Sequence, residues 1–170
     1  EEYLQLIDTK NITFTEGRAG MHRTYDDGTR LEILSPTNPD EKDLNEDSVV
    51  IKLTHGNVAF LFTGDAGNQS EKEILSNGYS LKSTVLKVGH HGSYGSTSRR
   101  FLKAVSPKVA IISCGTGNPY GHPHKVTLRK LKAANADIYR TDQNGSIVVK
   151  TDGKTYQVTT ERTERAERTE

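Results

Sequence analysis

Apolar residues along this chain come in short runs, and most runs close on glycine, asparagine or proline. Residues 48–53 and 58–63 flank His55-Gly56-Asn57, the pattern of an antiparallel hairpin. Three further runs, 83–88, 108–113 and 137–140, alternate with stretches of helical spacing at 68–76, 98–105 and 125–134. Asn68 followed by Glu71 predicts an N-cap and capping box for the first of these helices, which Asn77-Gly78 would end. Ser98 would cap the second helix, and Ser106-Pro107 would stop it. Residues 1–10 are expected to end a helix, and 11–16 to form a strand with Ile12 and Phe14 on one face. Asp27-Gly28 predicts a turn into a strand at 29–34, and 35–47 a loop. Strands at 146–150 and 155–159, each following an Asx-Gly turn, would close the domain. Hairpins followed by alternating strands and helices predict an α/β domain, a mixed sheet with flanking helices.

Composition narrows this picture only slightly. The 170 residues suffice for one domain with a real core. The 23 basic and 22 acidic side chains give no global field that demands a polyanion. Cys114 stands alone, which excludes an intrachain disulfide and a four-cysteine zinc site. No apolar run is long enough to span a bilayer. The opening Glu1-Glu2-Tyr3-Leu4, without an initiator methionine, suggests a segment of something longer. Domain organisation is accordingly read as one partial domain over 1–160 and a charged extension over 161–170. That extension uses only Glu, Arg, Thr and one Ala and has nothing to bury, as a solvated helical extension or a frayed tail would.

Candidate chemistry gathers where strands end. The run 60–63 leads into Gly64-Asp65, the run 83–88 into Gly89-His90-His91-Gly92-Ser93, and the run 108–113 into Asn118-Pro119-Tyr120-Gly121-His122-Pro123-His124. In a layered α/β fold, such ends meet at one edge. Four of six histidines and one aspartate would therefore converge, the layout of a hydrolytic metal site. Each residue also has a plainer role. Asp65 could make an Asx-turn, and His90 and His91 could be ordinary loop residues. Lys87 could meet phosphate or simply be solvated, and Asn45 and Ser48 could contact substrate or cap a strand. Gly92 would let backbone approach a substrate to which Ser93 donates. Of His122 and His124, held by Pro123, at least one is expected to function; His22 and His55 are expected to be surface residues. A serine hydrolase is disfavoured, because position 91 is His where Gly-x-Ser-x-Gly requires Gly.

The strings 61–66, 86–93 and 118–124, in this order, resemble the metallo-β-lactamase-fold domain of ComEC-type competence DNA-uptake proteins, over about residues 30–145. The resemblance implies an αβ/βα sandwich with two divalent ions, zinc or manganese, at one edge. It further implies an extracytoplasmic domain beside a membrane DNA channel that hydrolyses the strand not imported. Asp65 would then be a bridging metal ligand and His122 the last ligand histidine, with His90 and His91 serving the leaving oxygen. In relatives with one strand fewer, His90 would instead be the ligand. The superfamily's His-x-His-x-Asp-His motif, or its His-x-Asp-x-Asp-His variant, occurs nowhere in these residues. The chain is therefore expected to be the C-terminal part of the domain, to bind metal weakly, and to be inactive alone. Its partners would be DNA, the missing N-terminal half or a channel domain, or a second copy. The alternatives are a secreted metallo-phosphoesterase acting on a cell-wall or small phosphorylated substrate, and a non-catalytic binding module on the same fold.

Overall fold

The computed structural model describes residues 2–39 and 42–162. It begins with helix α1 (Glu2–Thr9), then strands β1 (His22–Thr24), β2 (Arg30–Ser35), β3 (Val50–His55) and β4 (Val58–Phe62). Three strand–helix alternations follow: α2 (Asn68–Ser76), β5 (Val85–Lys87), α3 (Arg99–Val105), β6 (Val109–Ile112), α4 (Lys125–Ala133) and β7 (Asp137–Arg140). A short helix α5 (Thr141–Asn144) leads to β8 (Ile147–Thr151) and β9 (Tyr156–Thr160). Strands β1 to β7 form one seven-stranded sheet in chain order, and β8–β9 make a separate two-stranded sheet. Pairing is antiparallel through β4 and parallel from β4 to β7.

That order has a consequence for the two faces. Parallel strands joined in one direction by right-handed crossovers place every connecting helix on the same side. Leu61, Leu86, Ala110 and Ile112 accordingly share a buried cluster with Ile74 of α2, Phe101, Leu102 and Val105 of α3 and Leu131 of α4. The alternate residues Phe60, Phe62, Val85, Lys87 and Ile111 point the other way, into a groove of about 420 Å³ bordered by Ile147 and Val149 of β8. Phe62 is 43% exposed there.

Several sequence expectations change. Residues 11–16 form no strand and are exposed, while the three-residue β1 forms around His22, in a stretch to which the sequence assigned no strand. A short polar strand carries no periodic signal, and its existence depends on pairing with β2. The helix α2 begins after Gly67 with no side-chain cap of its own. Instead Glu46, from the preceding loop, accepts the Ser70 backbone N–H at 2.7 Å. Glu71, expected to close a capping box, is buried and accepts the N–H groups of Thr97 and Ser98. Burial pushes its carboxyl pKa up, and hydrogen bonds from Ser98 and Thr97 work against that shift. At α3 the expected cap holds, with Ser98 Oγ accepting from the Phe101 N–H at 3.2 Å. The Asn144-Gly145 turn closes α5. Of the charged extension, residues 163–170 lie outside the described residues, and Glu161 accepts from the Ser146 N–H at 2.9 Å.

Candidate active site

The C-terminal ends of β4, β5 and β6 carry the site. After β4, Gly64 adopts φ +52° and turns the chain so that the Asp65 N–H donates to Ser48 Oγ at 3.1 Å. Ser48, read as a possible substrate contact, thus fixes the aspartate's backbone. After β5, residues Gly89–Gly92 form a tight turn in which His90 (φ 46°) and His91 (φ 53°) are both left-handed. Strand alternation would have sent the two rings to opposite faces, and this turn brings both to the same edge. The His90 N–H donates to the Gly64 carbonyl at 3.1 Å, tying the β5 turn to the β4 turn.

After β6 the chain returns through His122-Pro123-His124 to the start of α4. Asn118 organises this loop. Its amide nitrogen donates to the His122 carbonyl at 2.6 Å, and its side-chain oxygen accepts from the His122 N–H at 3.0 Å. The His124 N–H donates to the Gly92 carbonyl at 3.0 Å, so the two histidine loops are directly joined. Gly92 sits at φ +85°, and a Cβ there would stand 2.6 Å from Pro123 Cβ. Only glycine meets both conditions.

Four side chains converge as a result. His91 Nε2 lies 3.5 Å from Asp65 Oδ1. The His90 ring centroid is 6.3 Å from His91 and 5.7 Å from His122, and His91 and His122 are 6.3 Å apart. His91 Nδ1 sits 2.8 Å from the Ser113 carbonyl. A carbonyl only accepts, so Nδ1 carries the proton, and Nε2 is the atom aimed at Asp65 and the open edge. At His122, burial first and then the neighbouring His124, His90 and His91 push the pKa down. That favours a neutral ring with a free lone pair.

The remaining candidates are placed less directly. Lys87 is half-buried on the open sheet face, and its amine donates to the Val88 carbonyl at 2.9 Å. Burial pushes the Lys87 pKa down, while the Asp65 carboxylate raises it. Ser93 is buried, its hydroxyl accepting from the Gly95 N–H at 3.4 Å and its carbonyl from Thr127 Oγ1 at 2.9 Å. Asn45 is exposed in the loop before β3, where its carbonyl accepts from the Ser48 N–H. His22 is exposed on β1; His55 is half-buried, with Nδ1 2.9 Å from Thr29 Oγ1. Two exposed tyrosines at the rim carried no sequence signal as site residues. Tyr120 stacks on His122 at 5.7 Å, and Tyr94 meets His124 edge-on at 5.1 Å.

Among the described residues, no group of three His, Cys, Asp or Glu side chains is placed to hold a metal ion. Zinc sites require three or four protein donors. The side chains present do not fit a complete metal centre, although Asp65 and a neutral His122 are suitable donor types.

The sequence pattern of the metallo-beta-lactamase superfamily matches residues 19–116. The chain belongs to that superfamily. This member is also 37% identical over 147 residues to "ComE operon protein 3" of Bacillus subtilis, covering 86% of this chain and 19% of that protein. It is 38% identical over 122 residues to "Competence protein ComA" of Neisseria gonorrhoeae, covering 71% of this chain and 18% of the other. The same identity over 122 residues links it to "Recombination protein 2" of Haemophilus influenzae, covering 72% and 15%. The superfamily member thus spans less than a fifth of the length of these relatives. The resemblance to competence proteins extends over most of the chain, and so does the α/β fold that it implies.

Proposed function

We propose that this chain belongs to a metal-dependent phosphodiesterase of the competence type that acts on DNA. The carrying observation is the convergence of Asp65, His90, His91 and His122 at one sheet edge. Similarity to competence proteins favours DNA over other phosphodiesters. In this reading, His91 is held by the Ser113 carbonyl in one tautomer. Its Nε2, facing Asp65, exchanges a proton with the scissile or leaving oxygen. Donors beyond Asp65 and His122 would come from upstream residues of the domain, since the side chains among the described residues make no complete site.

The test is cleavage of labelled DNA by the domain restored with its upstream sequence, with and without divalent metal. Metal-dependent cleavage, little or none of it from the 170-residue chain alone, is expected. Hydrolysis of phosphomonoesters or choline phosphoesters with DNA intact would favour a cell-wall or small-molecule substrate. A restored domain that binds no metal would instead be a binding module, a reading favoured by the incomplete donor set.

The groove lined by Phe60, Phe62 and Ile111 gives a second expectation. Phe62 stands 43% exposed there, an apolar ring that a covering element would bury. The upstream half of the domain is proposed to cover it, with an extracytoplasmic location beside a membrane channel. Light scattering should show the 170-residue chain self-associating and the restored domain monomeric. A monodisperse monomer of the short chain would count against that pairing.

A further inference from the structure

The near-neutral net charge conceals a sharp asymmetry. Between Glu73 and Asp137 there is no acidic residue, and the same stretch holds ten of the 23 Lys and Arg residues. The other 13 basic residues share the rest of the chain with all 22 acids. Seven of these ten charges lie on two neighbouring helices, α3 and α4. Helix α3 follows the His90-His91 loop and carries exposed Arg99, Arg100 and Lys103; α4 follows His124 and carries exposed Lys125 and Arg129. The two helices share a groove bordered by Arg99, Lys103 and Lys130. Of the acids, Glu71 on α2 acts electrostatically on Lys130. It is buried and already accepts from Thr97 and Ser98, and Lys130 donates to the Ser96 carbonyl at 2.8 Å.

Beside the histidines stand two tyrosines, Tyr94 between the His90-His91 turn and α3, and Tyr120 in the loop that leads into α4. Tyr94 and Tyr120 are 70% and 73% exposed, far more than structural aromatic residues require. Each is nonetheless held: Tyr120 by His122, and Tyr94 by His124, whose Nδ1 also accepts the Tyr94 N–H at 3.1 Å. Rigid exposed rings beside a basic track are what non-sequence-specific binding of single strands uses, with bases stacking on the rings and phosphates following the charges. A duplex keeps its bases stacked internally and cannot offer them to such rings.

We infer that Tyr94 and Tyr120 are base-stacking positions, and that Arg99, Arg100 and Lys103 with α4 form a backbone track, leading single-stranded DNA to the histidine edge. This rests on the phosphodiesterase proposal but concerns binding, so it is tested without chemistry. Fluorescence anisotropy would use the 170-residue chain in EDTA, a labelled oligothymidine, and a duplex of equal length, across a salt series.

The single strand should bind more tightly than the duplex. Tyr94→Ala or Tyr120→Ala should weaken single-strand binding about five- to a hundredfold and leave the duplex unchanged, while Tyr94→Phe keeps the affinity. Replacing Arg99, Arg100 and Lys103 together by Gln should lower the salt slope by about 2. Equal binding of both DNAs with silent tyrosine variants would overturn the stacking positions. An unchanged salt slope would overturn the track, and absence of binding would overturn both. Binding as described without cleavage by the restored domain would sink the enzyme and leave this surface standing. Cleavage by that domain indifferent to both alanine variants and to the triple Gln variant would do the reverse.

Discussion

Asp65→Asn should reduce DNA cleavage by the restored domain about 10²- to 10⁴-fold, without changing the fold. The substitution is nearly isosteric, and the backbone there is fixed by the Ser48 hydroxyl, so the turn should persist. What changes is the group facing His91 Nε2 at 3.5 Å. The aspartate oxygen can only accept. An asparagine can turn its NH₂ toward Nε2 and occupy the lone pair of the neutral tautomer fixed by Ser113. Either way, proton exchange at Nε2 is lost. Cleavage should be measured as a function of divalent metal concentration. A deficit that persists at saturating metal assigns Asp65 to orienting His91. One that higher metal restores assigns it to holding the ion. Wild-type rates in the variant would remove Asp65 from the mechanism altogether.

Replacing Gly92 by alanine should destabilise the protein by about 2–4 kcal/mol. Two effects add: a positive φ costs a non-glycine residue about 1 kcal/mol, and forcing a methyl group into packed atoms costs about 1–3 more. The added Cβ would stand 2.6 Å from Pro123 Cβ and 3.1 Å from its Cα, and backbone cannot swing aside as a long side chain can. Relief would require the His90-His91 loop to part from the His122-Pro123-His124 loop, so the site should open as stability falls. Gly117→Ala is the control, because φ there is +66° with nothing within 4 Å of the new atom. It should lose only the conformational part, about 1 kcal/mol. Urea titration of both variants gives the comparison, and equal losses would mean that the contact with Pro123 is not what demands glycine.

Much of this protein was legible before any coordinates. The apolar runs at β3 to β7, bounded by Gly, Asn and Pro, specify strands because their period and their stops are local properties. The helices α2, α3 and α4 follow from spacing for the same reason. That Asp65, His90, His91 and His122 meet at one edge was also legible, since parallel strands deliver their ends there. What the sequence could not supply were contacts between residues distant along the chain. Glu71 looks like a capping residue by its spacing from Asn68, yet its carboxylate accepts from Thr97 and Ser98, 26 and 27 residues away. The cap it was expected to help supply comes from Glu46. The tyrosines at 94 and 120 gain meaning only when packing sets Tyr94 on His124 of the other loop and the 118–124 turn stacks Tyr120 on its own His122. The basic face likewise needs α3 and α4 side by side. Local physics chose the elements, and the placement of helices on one face decided which side chains met, which groove stayed open and where the charge collected.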